Sequence, residues 1–119
     1  MNNYKYKTIN FLFKKLPKIK NVNIVELGVR EGRSTKEFLK YCKKNSGRLY
    51  SVDVNDYSRL FKDKIWKFIL SRDDNFEYLD SVLPKTIDIL YIDSLHEADH
   101  VEKIFYYYYN KLTINGLIY

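Results

Sequence analysis

Val25-Glu26-Leu27-Gly28-Val29-Arg30-Glu31-Gly32-Arg33-Ser34-Thr35 is the stretch on which the fold turns. Val22, Ile24, Val25 and Leu27 make a short apolar run, the pattern of a strand covered on both faces. Gly28 and Gly32 bracket a turn. Glycine suits a backbone with positive φ, and one that a ligand must approach closely. Ser34 to Glu37 has the S-x-x-E spacing of a capping box, which makes Ser34 the N-cap of the next helix. The unpaired N–H groups at that helix start would face back across the loop, where a polar or negative group can use them.

Outward from this stretch, the chain alternates strands with helices. Tyr6, Ile9, Leu12, Phe13 and Leu16 recur at helical spacing with lysines between them, so residues 1–17 read as an amphipathic N-terminal helix ended by Pro17. After the glycine turn, Phe38, Leu39 and Cys42 give a helix one apolar face. Lys43 and Lys44 suit its C-terminal end, and Gly47 supplies the left-handed position that stops it. Leu49–Asp53 reads as the second strand, Ser58–Lys64 as a short helix and Trp66–Leu70 as the third strand. Asp74 or Asn75 caps a helix that runs to about Leu83, before Pro84. Ile87–Ile92 is the fourth strand and Ala98–Leu112 a long helix. Asn115-Gly116 is a turn signal, and Leu117-Ile118-Tyr119 starts a fifth strand. The four tyrosines Tyr106–Tyr109 point all round a helix axis, so some are buried and some exposed. The alternation implies right-handed βαβ units and a parallel sheet.

A chain of 119 residues permits one domain with one modest core, and 45% hydrophobic content argues for a globular chain rather than a disordered one. The net charge is +6, with a denser lysine cluster at Lys14, Lys15, Lys18 and Lys20. Charge alone does not define a site, so a solvated basic surface outweighs a nucleic-acid partner. Cys42 is the only cysteine, which excludes an internal disulfide and a cysteine-based zinc site. No apolar stretch has the length of a membrane span or the form of a signal peptide, and the default compartment is cytoplasmic.

The Glu-x-Gly-x-x-x-Gly-x-Ser pattern differs from the dinucleotide fingerprint G-x-G-x-x-G. It resembles the first motif of class I S-adenosylmethionine (SAM) dependent methyltransferases. The variant VELGVREGRST is most similar to the family that holds small-molecule O-methyltransferases and sugar or antibiotic tailoring enzymes. The resemblance runs over residues 21–119. It implies a Rossmann-like three-layer α/β sandwich with a mainly parallel sheet of order 3-2-1-4-5. It also implies that Glu26, Gly28, Gly32 and Ser34 hold the methionine end of SAM.

Downstream features follow the same order. Asp53 ends the second strand, where an acid in a nucleotide-binding α/β sheet accepts hydrogen bonds from ribose hydroxyls; the resemblance gives it the same role. In Ser71-Arg72-Asp73-Asp74-Asn75 the resemblance aligns Asp74 with an acid that contacts the adenine amino group, while Asp73 stands in the place of a glycine. Asp74 or Asn75 acting only as an N-cap is an equal alternative. After the fourth strand, Asp93 and His96 match the Asp-Gly-x-His pattern of the family, with Ser94 replacing the glycine. Asp93 would polarise or deprotonate an acceptor or ligate a metal, and His96 would act as a base near neutral pH. The plainer alternative for His96 is a helix-start histidine bonded to backbone.

His96-Glu97-Ala98-Asp99-His100 also fits H-E-x-x-H, a zinc-protease signature. That chemistry needs both histidines inside one helix and a distant third ligand. His96 lies too close to the fourth strand, and no suitable third ligand follows, so no zinc is expected. The expectation is therefore a single SAM-binding methyltransferase core over residues 1–119, lacking the family's C-terminal strands. It would transfer methyl to a small-molecule acceptor, with a hydroxyl as the first choice, and a divalent metal is compatible but not required. Its exposed fifth-strand edge would be covered by a partner or a second copy. A non-catalytic SAM-binding or regulatory protein and a nucleic-acid methyltransferase are the rivals.

Overall fold

The computed structural model describes residues 16, 18–93 and 98–119. The expected N-terminal helix and His96 lie outside the described residues. The elements are β1 (Asn23–Leu27), α1 (Arg33–Lys44), β2 (Arg48–Asp53), β3 (Trp66–Leu70), α2 (Phe76–Val82), β4 (Ile87–Ile92), α3 (Ala98–Tyr109) and β5 (Leu112–Ile118). The five strands form one sheet in the order β3-β2-β1-β4-β5, and every pair is parallel. The parallel sheet is what the alternation implies, and the strand order, with β1 at the centre, is the one the resemblance implies.

Successive strand residues point to opposite faces, and each face of the sheet has its own core. Val25, Leu27, Val52, Ile69, Ile87 and Leu90 pack with Leu79 of α2 and with Ile104 and Tyr108 of α3. Ile24, Leu49 and Ile89 pack on the other side with Phe38, Leu39 and Cys42 of α1. Both faces of β1 are therefore covered, which is why its sequence is apolar on both faces at Ile24, Val25 and Leu27. Glu26 is the exception, on the α1 face.

Several local expectations are corrected by the fold. Ser34 is not the N-cap of α1. Gly32 holds that position at φ 82°, with no side-chain cap bond, and Ser34 lies in the first turn. Its hydroxyl is drawn down to Glu26 instead, and Glu37 pairs with Lys40, so no capping box forms. At the other end of α1, Ser46 takes the left-handed position at φ 53°, not Gly47. Gly47 follows it and donates its N–H to the Cys42 carbonyl at 2.8 Å, closing a Schellman turn. Glycine is needed there for space, because a Cβ would meet the Val22 side chain and carbonyl.

No helix forms over residues 58–64. Asp56 accepts the Ser58 N–H at 3.0 Å and Asp63 accepts the Ile65 N–H at 3.1 Å, so aspartate side chains close local turns that compete with helix. At α2, Asn75 is the N-cap without a side-chain bond. α3 ends at Tyr109, and β5 begins at Leu112 rather than Leu117. Leu112 pairs with Ile87, and Leu117 with Ile89. The Asn115-Gly116 signal marks the bulge between those pairs, where Ile114 is fully exposed. Of the four tyrosines, Tyr108 is buried and Tyr106 and Tyr109 are exposed.

Candidate active site

A cleft of about 250 Å³ opens at the carboxyl ends of β1, β2 and β3. Gly28, Val52, Asp53 and Val54 line it from the first two strand ends, and Ser71, Arg72 and Asp73 from the third. His100 reaches in from α3. Open parallel sheets leave a crevice at this end, where the chain runs outward in both directions from the central strand.

The turn after β1 is built from two sides. Gly28 sits at φ 100° and donates its N–H to the Val52 carbonyl at 2.9 Å, which keeps β1 and β2 in register to their ends. Asp53 then organises the loops around it. Its Oδ2 accepts the Val29 N–H at 2.9 Å and its Oδ1 accepts the Asn55 N–H at 2.9 Å. A carboxylate has about four acceptor sites, so each oxygen keeps capacity for a ligand hydroxyl.

Glu26 is not at the surface of this cleft. It is fully buried between β1, β2 and the start of α1. Oε1 accepts from Thr35 Oγ1 at 2.6 Å and Ser51 Oγ at 2.8 Å, and Oε2 accepts from Ser34 Oγ at 2.5 Å. Burial raises its pKa to about 7 against the opposing pull of the three hydroxyls, with the Asp93 charge adding to the rise. This carboxyl ties the helix start to two strands and so sets the shape of the glycine turn. Gly32 lies under the Phe61 ring and Leu60, where an added Cβ would stand 3.0 to 3.3 Å from them.

The loop after β3 is gripped by α3. His100, Ile104 and Tyr108 are four residues apart and share one face. His100 Nε2 lies 2.8 Å from Asp73 Oδ1, and the Tyr108 hydroxyl donates to the Asp73 carbonyl at 3.1 Å. Asp74 is bound from within its own loop. Arg72 binds it through Nε and Nη2 at 2.8 and 3.0 Å, and this guanidinium holds its pKa down to about 2. Asp93 ends β4 beside the turn and donates its N–H to the Leu27 carbonyl at 2.8 Å.

Of the residues singled out from sequence, the cleft joins Gly28 and Asp53. Glu26, Ser34 and Gly32 shape the turn beneath and beside it, and Asp74 is bound to Arg72. Asp73 and His100 line the cleft without having been assigned a role in it. The His100-Ile104-Tyr108 spacing was available in the sequence but was masked by the H-E-x-x-H match. His100 lies near the acids Asp73 and Asp74, and no group of three or more His, Cys, Asp or Glu able to hold a metal occurs among the described residues. Nor is any described helix long and apolar enough to cross a membrane.

A parallel sheet of this order, with an acid at the end of β2 beside a glycine turn, is an arrangement also found in nucleotide-binding α/β domains. The chain belongs to the methyltransferase-domain family, whose profile matches residues 25–119. No curated protein sequence matches it. Among solved structures, it is similar to a chain of a fibrillarin/Nop5p complex, with a TM-score of 0.70 at 13% identity over 92% of this chain and 55% of that one. It is also similar to a SAM-dependent methyltransferase from Archaeoglobus fulgidus, with a TM-score of 0.64 at 21% identity over 94% of this chain and 50% of that one. At these identities the likeness speaks for the fold. The chain spans about half the length of each of these structures.

Proposed function

We propose that this domain binds SAM in the cleft at the ends of β1–β3 and serves methyl transfer to a small-molecule acceptor, a hydroxyl compound in the first instance. The observation that carries the reading is Asp53. Its carboxylate stands at the end of β2 in the cleft wall, beside Gly28, with both oxygens already oriented by loop N–H groups. Two adjacent ribose hydroxyls match such a carboxylate. Gly28 lets the backbone come close to the ligand, and the turn from Gly28 to Gly32 would take the methionine end. Glu26, Ser34 and Thr35 hold that turn in shape from below. Bound SAM supplies a methyl group on a sulfonium sulfur. The chain supplies orientation and a place for the acceptor's proton. Asp93, at the end of the neighbouring strand β4, and His96 are the groups proposed to take that proton.

Titration calorimetry with S-adenosylhomocysteine tests this. Asp53→Ala removes a charged acceptor from two ribose donors, a loss of about 1.5–3 kcal/mol, or roughly ten- to a hundredfold in affinity. Unchanged affinity in a folded variant would remove Asp53 from the site. A nucleic-acid acceptor is the second reading, favoured by the net charge of +6. RNA binding that weakens steeply with salt, together with methyl transfer to RNA, would support it over the small-molecule acceptor.

A further inference from the structure

The cleft has two ends on either side of Asp53. The glycine turn forms one. At the other, the loop after β3 meets α3, and a nucleoside bound through Asp53 would place its base there. Asp74, the acid that the resemblance aligns with the base, is not among the residues that line the cleft. Arg72 occupies both of its oxygens, and Lys103 Nζ lies 4.0 Å away. Asp73 and His100 line the cleft at this end instead.

The imidazole of His100 is held firmly. Nε2 is 2.8 Å from Asp73 Oδ1 and Nδ1 is 4.0 Å from Asp74 Oδ2. Ile104 and Tyr108, on the same helix face, are fully buried, and Tyr108 ties the Asp73 backbone to α3. With Nε2 engaged by Asp73 and the ring in the cleft wall, the imidazole is a fixed part of the surface that a ligand meets. A fixed, flat heteroaromatic surface suits the π-face of a base.

We propose that His100 is the base-recognition residue of this cleft: its imidazole, positioned by Asp73, is the surface on which the purine of the bound nucleoside packs. The proposal rests on the reading of the cleft as the SAM site and adds the residue that meets the base. It assigns Asp74 a supporting part, fixing Arg72 and the loop, rather than a contact with the base.

The test compares two ligands on the full chain by NMR titration, which reads binding into the millimolar range. One is S-adenosylhomocysteine. The other is S-ribosylhomocysteine, the same molecule without its base. Base–aromatic stacking predicts that His100→Ala weakens S-adenosylhomocysteine binding by roughly five- to a hundredfold and leaves the truncated ligand unchanged. His100→Gln, which keeps an N–H for Asp73 but has no ring, should behave the same way and answers the question if the alanine variant does not fold. His100→Phe keeps the ring and should recover part of the loss. Equal weakening of both ligands would make His100 a structural residue and overturn the proposal, as would no weakening of either. Failure of the wild-type chain to bind S-adenosylhomocysteine would overturn the reading of the cleft and the proposal together. Normal wild-type binding with indifferent His100 variants would overturn the proposal alone.

Discussion

Replacing Glu26 with glutamine should remove most of the pH dependence of stability between about pH 5 and about pH 8. In the folded chain the carboxyl is fully buried and its pKa stands at about 7, against an ordinary value of 4.5. The folded state therefore binds this proton more tightly than the unfolded chain does. The stability contributed by the proton is fully present below about 4.5 and is lost as pH rises through about 7. At about 1.4 kcal/mol for each pH unit, the whole effect is roughly 3 kcal/mol, most of it falling between about pH 5 and about pH 8. That is a large share of a typical domain stability of about 5–15 kcal/mol. Asp74, with its pKa lowered from 3.8 to about 2, acts in the opposite sense and in a window below this one. Cys42, raised from 9.0 to about 12, acts above it. Glutamine keeps a carbonyl acceptor for Thr35 and Ser51, and the Ser34 hydroxyl can rotate to accept from the new amide. The substitution itself should cost about 1–2 kcal/mol. Urea unfolding of both proteins across this pH range reads the effect, with the slope of each transition confirming that the same surface is exposed. Wild-type stability should fall with rising pH while that of Glu26→Gln stays level. Parallel curves for the two proteins would refute the assignment.

Three further outcomes follow from particular contacts. Gly47→Ala places a Cβ against the Val22 side chain and carbonyl and should destabilise the chain by about 1–3 kcal/mol; an unchanged thermal midpoint would show that this turn is not packed against β1. Arg72→Ala should let the Asp74 carboxyl rise from about 2 toward its ordinary 3.8, read by NMR titration of that side chain, and no movement would mean that the guanidinium is not what holds it down. Burial, with the Asp63 charge adding to it, pushes the Cys42 thiol up to about 12, so it should resist alkylation until the chain unfolds; rapid labelling of the native protein would contradict its place in the core.

The sequence by itself determined the alternation of strands and helices and the positions of the first four strands, while the fifth starts five residues earlier than its turn signal implied. Apolar runs such as Val22–Leu27 and Ile87–Ile92 can be satisfied only by cover on both faces, and helical segments between them leave few topologies. It also placed Gly28 at a turn and Asp53 at a strand end, because these are local features. Where a side chain had two available partners, only the tertiary structure decided. Ser34 could cap its own helix or bond to Glu26, and the carboxyl buried beneath it takes the hydroxyl. His100 stands in the cleft wall because Asp73, distant in sequence, meets its Nε2. Periodicity and turn chemistry act over a few residues and are written in the chain. The choice among competing hydrogen-bond partners is made by groups that only the folded sheet brings within reach.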